Sequence, residues 1–232
     1  MENSYDSYKS TATSSVLSTV MRKVYVRMFL ALVVTAFTAL YVASSPALLT
    51  TILGSRAIFF GLMIAELAVV FVISGRIHKL STATAALLFY LYAILNGVVF
   101  SSIFVVYELG SIAYTFFITA GVFGAMSVYG LVTKNDMTRF GSYCVMALFG
   151  LIIATVVNIF VASSTLDWII SFVGVALFIG LTAWDTQKIK NAAYEVEPSQ
   201  MGKLATIGAL SLYLDFINLF LYLLRFFGRS ND

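Results

Sequence analysis

The sequence predicts an all-α, polytopic membrane protein with seven transmembrane helices. Of its 232 residues, 60% are hydrophobic and only 11% are charged. Soluble domains carry about 25% charged residues, so this chain has too few charges to cover a water-facing surface. Seven apolar windows each approach or exceed the roughly 20 residues that a bilayer span requires. Lysine and arginine gather between the windows and favour alternate loops.

The chain begins with a polar, Ser/Thr-rich stretch, residues 1–20, expected to be a mobile tail or a short surface helix. Arg22, Lys23 and Arg27 then lead into the first window, about 24–45. A cleaved signal peptide is a rival for this window, because VASS offers small residues. The long polar lead-in and the six apolar runs that follow argue against it. The remaining windows lie at about 55–74, 82–106, 111–132, 140–162, 167–188 and 204–227. Between them stand the turn and charged residues: SSP, GRIHKLS, YELGS, TKNDMTRFGS, SSTLDW and IKNAAYEVEPSQMGK. With two prolines and no low-complexity tract, the chain reads as the tail plus one seven-helix domain, residues 21–228. The loops are too short for a soluble catalytic domain. No enzyme is expected, and any transport must happen among the helices.

With the N-terminus in the cytoplasm, eleven Lys and Arg fall inside (Lys9, Arg22, Lys23, Arg27, Arg76, Lys79, Lys134, Arg139, Lys188, Lys190 and Lys203). Three, Arg56, Arg225 and Arg229, fall outside. The positive-inside rule therefore orients the N-terminus inward, and seven spans put the C-terminus outside. A re-entrant window would return it to the cytoplasm. The net charge of +3 comes without a basic block, so no nucleic-acid partner is expected. Cys144 is the single cysteine and can form no intrachain disulfide. The single histidine, His78, sits beside Arg76 and Lys79 and reads as a solvated loop residue, with no companions for a metal site. Gly121, Gly124 and Gly130 read as sites of close helix approach. Tyr107 and Trp168 read as interfacial belt residues.

Three carboxylates stand where a carboxylate is costly. Glu66 is in the middle of the second window, Asp185 near the cytoplasmic end of the sixth, and Asp215 well inside the seventh. An ionisable residue within a span suggests function. Around Asp215, the residues Ser211, Asn218, Tyr222 and Arg225 follow at spacings of 4, 3, 4 and 3. They draw one polar stripe along a helix whose other faces are Leu, Phe and Ile. Such a stripe must face other helices or a water-filled cavity. Ser211, Asn218 and Tyr222 also read as interhelical hydrogen-bonding groups. Helix geometry permits Asp185 and Asp215 to meet, with depths differing by about two turns. If they do, they share one proton, because both cannot ionise cheaply. Protonated, the pair is a latch. Deprotonated, it is an oxygen-rich, transient site for a hard cation such as Ca²⁺.

GLTAWDTQKIKN at 180–191 and GALSLYLDFINLFLYLLRFFG at 208–228, with FGAMSVYGLVTKNDMTRFG at 123–141, resemble the signature stretches of the Bax inhibitor (transmembrane Bax inhibitor motif) family, bacterial branch. The resemblance spans nearly all of the chain after the tail. It implies a seven-helix fold in which the last helix is central and ringed by the other six. It implies a pH-sensitive calcium leak sensed by an aspartate pair, here Asp185 and Asp215. It also implies an arginine latch at the end of the second helix. Arg76 is the nearest match, with its spacing from Glu66 differing by one residue. Glu66 and Arg225 match family polar positions. No cofactor is implied, and Ca²⁺ is cargo.

Three rival classes were weighed. An intramembrane aspartyl protease needs Gly-x-Gly-Asp before its second aspartate, and LYLD stands here instead. A proton-coupled transporter accords with intramembrane acids, but no internal repeat is evident. A non-conducting regulatory partner of a membrane protease, using the polar tail as its handle, is compatible with a leak. Composition leaves the oligomeric state open.

Overall fold

The computed structural model describes residues 2–77 and 79–231, without the side chains of residues 2–14. His78, and most of the tail expected to be mobile, therefore fall outside the described side chains. Among the described residues the helices are α1 (Glu2–Ala43), α2 (Pro46–Gly54), α3 (Arg56–Arg76), α4 (Thr82–Phe100), α5 (Ile103–Val106), α6 (Leu109–Val132), α7 (Thr138–Val161), α8 (Ser164–Glu195) and α9 (Met201–Phe227). No β-strand forms among them, and Tyr107 and Ser230 make an isolated antiparallel bridge.

Local chemistry sets the helix ends. No Gly or Pro interrupts α1. Pro46 forces the preceding Ser45 into an extended conformation (φ −111°, ψ 103°) and opens α2 at its first turn. Ser81 caps α4 by accepting from the Thr84 amide at 3.0 Å. Ser101 and Ser102 donate to the Val98 and Val99 carbonyls at 2.7 and 2.8 Å. These bonds compete with the helical ladder and separate α4 from α5. Asp136 accepts from the Thr138 amide at 2.9 Å and from its hydroxyl at 2.6 Å, at the start of α7. At the end of α7, Ala162 adopts a left-handed conformation with φ 52°, and Asn158 Oδ1 accepts from the Ser163 amide at 3.1 Å. α8 stops three residues before Pro198, which cannot continue a helix.

Seven segments are long and apolar enough to cross a membrane: 15–43, 56–76, 82–106, 109–132, 138–161, 164–195 and 201–227. These are the predicted windows, adjusted by a few residues at most ends. Two ends depart further: the first span begins nine residues before its window, and the sixth extends seven residues past its window at the C-terminal end, because KNAAYE carries helix-forming residues and no breaker. The short α2, nine residues long, lay below the length of a span and was not predicted. Phe71, Phe117 and Phe160 are 74, 73 and 84% exposed. On a water-facing surface such residues would form a large apolar patch; on a membrane helix they meet lipid. The protein is a seven-helix polytopic membrane protein.

The described chain divides into two compact units. The first holds residues up to Val106 with Ile189–Leu210. In it, α1 and α4 meet where Gly97 has no side chain: a Cβ there would stand 2.6 Å from the Thr35 carbonyl oxygen. Thr35 donates to the Ala93 carbonyl at 2.9 Å. Arg27 of α1 donates to the Gly202 carbonyl at 2.6 Å and to the Thr206 hydroxyl at 2.5 Å, tying the first turns of α9.

The second unit holds Tyr107–Lys188 and the chain from Ser211 on. Phe116 and Phe123 of α6 pack edge-on against Phe216 of α9, with centroids 5.3 and 5.4 Å apart. Gly130 of α6 lies against the Ala183 carbonyl and Thr186 of α8. Gly121 and Gly124 do not share that role. A Cβ at either would meet nothing within 4 Å, because the buried face of α6 runs through Thr119, Phe123, Ser127 and Gly130 instead. The residues after α9 return to the start of α6. The Glu108 amide donates to the Arg229 carbonyl at 2.9 Å, and the Arg229 amide donates to Ser111 Oγ at 3.0 Å.

Candidate functional site

Within the second unit, α7, α8 and α9 line a cavity of about 470 Å³. Asp185, Lys188, Ser211, Asp215, Asn218 and Tyr222 supply its polar groups, and Val145, Leu148, Leu151 and Ile152 of α7 form an apolar side. Four of the five stripe residues of α9 therefore share one wall. The helical spacing brought them to one face, and the apolar neighbours on the other faces are buried: Leu212, Tyr213 and Leu219 are fully enclosed.

The two aspartates come to the same cavity, from α8 and α9 respectively. Asp185 is 9% exposed and Asp215 5%. They lie within electrostatic reach of one another, and the Lys188 charge acts on both. Ser211 hydrogen-bonds the Asp185 carboxylate. Ser211 precedes Asp215 by four residues, so the offset in depth is about one turn, near 6 Å. It is smaller than the sequence suggests because both helices run past their apolar windows. Asp185 lies ten residues before the end of α8, and Asp215 fourteen after the start of α9.

Asp215 Oδ2 is buried with no hydrogen-bond partner. A buried carboxyl oxygen left unsatisfied is costly, and such groups call for an explanation beyond packing. Asn218 spends its amide nitrogen on the Leu214 carbonyl at 2.8 Å. Tyr222 stacks on Phe178, with centroids 5.9 Å apart. Arg225 leaves the cavity lining and pairs with Asp167 at 2.8 Å.

Glu66 and Arg76 lie in the first unit. Glu66 is half-buried on α3, where Asn96 of α4 hydrogen-bonds its carboxyl group and Tyr92 lies within reach of its charge, while its Oε1, like Asp215 Oδ2, is buried with no hydrogen-bond partner. Arg76 is exposed in the last turn of α3. Among the described residues no group of three or more His, Cys, Asp or Glu could hold a metal ion.

Several contributors escaped the sequence reading. Gln187, 5% exposed, accepts from the Met137 amide at 2.9 Å and donates to the Asn135 carbonyl at 2.8 Å. It fastens the α6–α7 turn to α8, two residues from Asp185. Lys188 sits with its ammonium 4.9 Å from the Trp184 ring centroid. Its position three residues after Asp185 was a usable signal, since i and i+3 share a helix face. Asp167 gave no comparable signal, because its partner is 58 residues away.

The family model described as "Inhibitor of apoptosis-promoting Bax1" matches residues 17–232. The inner membrane protein YbhL of Escherichia coli K12 is 48% identical over 216 residues, covering 92% of each chain. An uncharacterised protein of Borreliella burgdorferi is 44% identical, over 91% of this chain and 93% of its own. An uncharacterised membrane protein of Streptococcus pyogenes is 41% identical, over 79% and 80%.

Proposed function

The chain belongs to the Bax inhibitor family, and from that premise we propose that it is a pH-sensitive calcium leak gated by Asp185 and Asp215. A bacterial inner membrane, the location that the name of the Escherichia coli relative gives, is the proposed site of action, with the N-terminus cytoplasmic. The observation that carries the reading is the meeting of two buried carboxylates in one cavity, one of them with an unpartnered oxygen.

When the pair holds a proton, it joins α8 and α9 by a hydrogen bond between two largely buried carboxyl groups. When it loses that proton, two like charges share one wall, and the repulsion favours separation of the helices. The same loss supplies carboxylate oxygens to Ca²⁺, which takes six to eight oxygen ligands, many of them from water. Two carboxylates and a hydroxyl form too small a set to retain the ion, and weak holding is what conduction requires. Lys188 balances part of the charge while no cation is present.

The test is Ca²⁺ entry into dye-loaded proteoliposomes between about pH 6 and 8, for the parent, Asp185→Asn, Asp215→Asn and the double variant. A pH-dependent leak that each substitution flattens, with the double adding little, supports a pair acting as one unit. A parent that passes no Ca²⁺ at any pH ends the leak reading. A proton-coupled transporter or a regulatory partner of a membrane protease would then come first. Deleting residues 2–20 separates those two, since the protease partner alone would lose its handle.

A further inference from the structure

Tyr222 lies at the end of the cavity opposite Lys188. It is eleven residues beyond Ser211 on α9, about 16 Å along the helix. Its ring is held from several directions. Gly174 of α8 lies directly against it, and a Cβ at that position would stand 2.7 Å from the ring. Phe178, one turn further along α8, stacks on it with an interplanar angle of 26°. The Arg225 guanidinium carbon lies 5.6 Å from its centroid, and Thr155 of α7, whose hydroxyl donates to the Leu151 carbonyl at 2.8 Å, lies close to its phenol. Beyond the ring, Arg225 Nη1 donates to Asp167 Oδ1 at 2.8 Å and to Ser171 Oγ at 3.3 Å. Thr155, Gly174, Ser171, Asp167 and Arg225 are all absent from the cavity lining, which stops at the tyrosine.

We propose that Tyr222 is a plug that closes the cavity at the Asp167 end, and that the Arg225–Asp167 ion pair is its clamp. This deepens the calcium-leak reading by giving the same passage a second constriction, remote from the aspartate pair. The ring fills the space between α8 and α9 where glycine leaves room, with groups of α7, α8 and its own helix around it. A hydrated cation cannot share that space with the stacked ring, so passage requires the ring to turn away. The clamp suits such a movement. Arg225 and Asp167 are 39 and 54% exposed, and an exposed ion pair is weak and screened by salt. It holds the guanidinium over the ring without locking it.

The test uses Asn218, which lines the cavity between Asp215 and Tyr222. Asn218→Cys in a Cys144→Ala background is probed with a membrane-impermeant methanethiosulfonate reagent, applied to each face of sealed vesicles. Labelling from the Lys188 face and protection from the Asp167 face are expected. Tyr222→Ala should raise labelling from the Asp167 face by about tenfold and Arg225→Gln by several-fold, while Tyr222→Phe, which keeps the ring, should stay within about twofold. With the labelling done at about pH 8, where the proposed aspartate latch is open, equal labelling from both faces in the parent overturns the plug, as does absence of labelling from the Lys188 face. So does an unchanged Asp167-face rate in both Tyr222→Ala and Arg225→Gln when their Lys188-face rates match the parent. Arg225→Gln keeps the test alive if Tyr222→Ala fails to fold. Calcium flux, measured separately, distinguishes the two claims. One-sided labelling with no flux sinks the leak and spares the plug; flux with two-sided labelling does the reverse.

Discussion

Asp215 and Glu66 look alike in sequence, each a lone acid in an apolar run, yet their surroundings differ. Glu66 sits on α3, whose most apolar stretch is 6% buried, and finds an amide and a phenol one helix away. Asp215 sits on α9, whose corresponding stretch is 67% buried. It finds a second carboxylate, a lysine and an open cavity. Each acid leaves one buried carboxyl oxygen without a hydrogen-bond partner, so the difference lies in the neighbours, neutral groups for Glu66 and a second carboxylate for Asp215. Two carboxylates in one site repel when both ionise, and in the proposed gate a proton or cation that relieves the repulsion changes the contact between two helices. Function is read from the company an intramembrane acid keeps, and its mere presence in a span is a weaker sign.

That contrast can be broken most sharply at Asp215. Asp215→Asn should lower Ca²⁺ flux at neutral pH by about tenfold or more and flatten its pH dependence, since about 1.4 kcal/mol of lost interaction is a factor of ten. Glu66→Gln keeps a hydrogen-bonding carbonyl for Asn96 and should leave the same flux within about twofold. Equal losses at the two positions would erase the distinction.

A second pair sharpens it through packing. Gly130→Ala drives a methyl group into the Ala183 carbonyl, two residues from Asp185. It should cost about 1–3 kcal/mol, the usual penalty for overpacking. Gly124→Ala, on the open side of the same helix, should stabilise by up to about 1 kcal/mol through helix propensity. Thermal unfolding in detergent separates them, and equal melting temperatures would contradict the packing described.

The smallest effect concerns Asp136, an acid outside the spans. The Thr138 hydroxyl, with the Thr138 amide, holds its carboxyl below the ordinary value of 3.8. Its folded-state value being depressed, its stabilising contribution is present above the unfolded value and is lost as pH falls through the folded one. The melting temperatures of the parent and Asp136→Ala should differ slightly at neutral pH and converge as the medium is acidified below about pH 4. A difference that persists in acid would show that the carboxylate charge is not the source.

Helix positions were legible because a bilayer makes one demand on each span, length of apolar sequence, and that demand is local. The α9 stripe was legible for a similar reason: spacing along one helix determines which residues share a face. What lay across from that face was not. Gln187 with the α6–α7 turn, Gly174 under Tyr222, and Asp167 with Arg225 all depend on how one helix is rotated and shifted against another. Apolar composition does not specify that register, since Leu and Phe serve lipid and helix contacts equally. The glycines of α6 show the same limit. Three looked equivalent, and only the one on the buried face met a neighbouring backbone.

The order of synthesis meets a constraint in the partition of α9. Its first ten residues, Met201–Leu210, belong to the first unit, and Ser211 onward to the second. The ribosome must therefore deliver α9 before either unit has its full set of packing partners. Until then, the α8 wall carrying Asp185 has been made without the α9 wall carrying Asp215, and Ser111 of α6, whose hydroxyl donates to the Glu108 carbonyl, lacks the Arg229 amide that it accepts from just past α9. The insertion machinery would meet a chain whose Asp185 still lacks its α9 neighbours, and completion of α9 supplies packing partners to both units within a single helix.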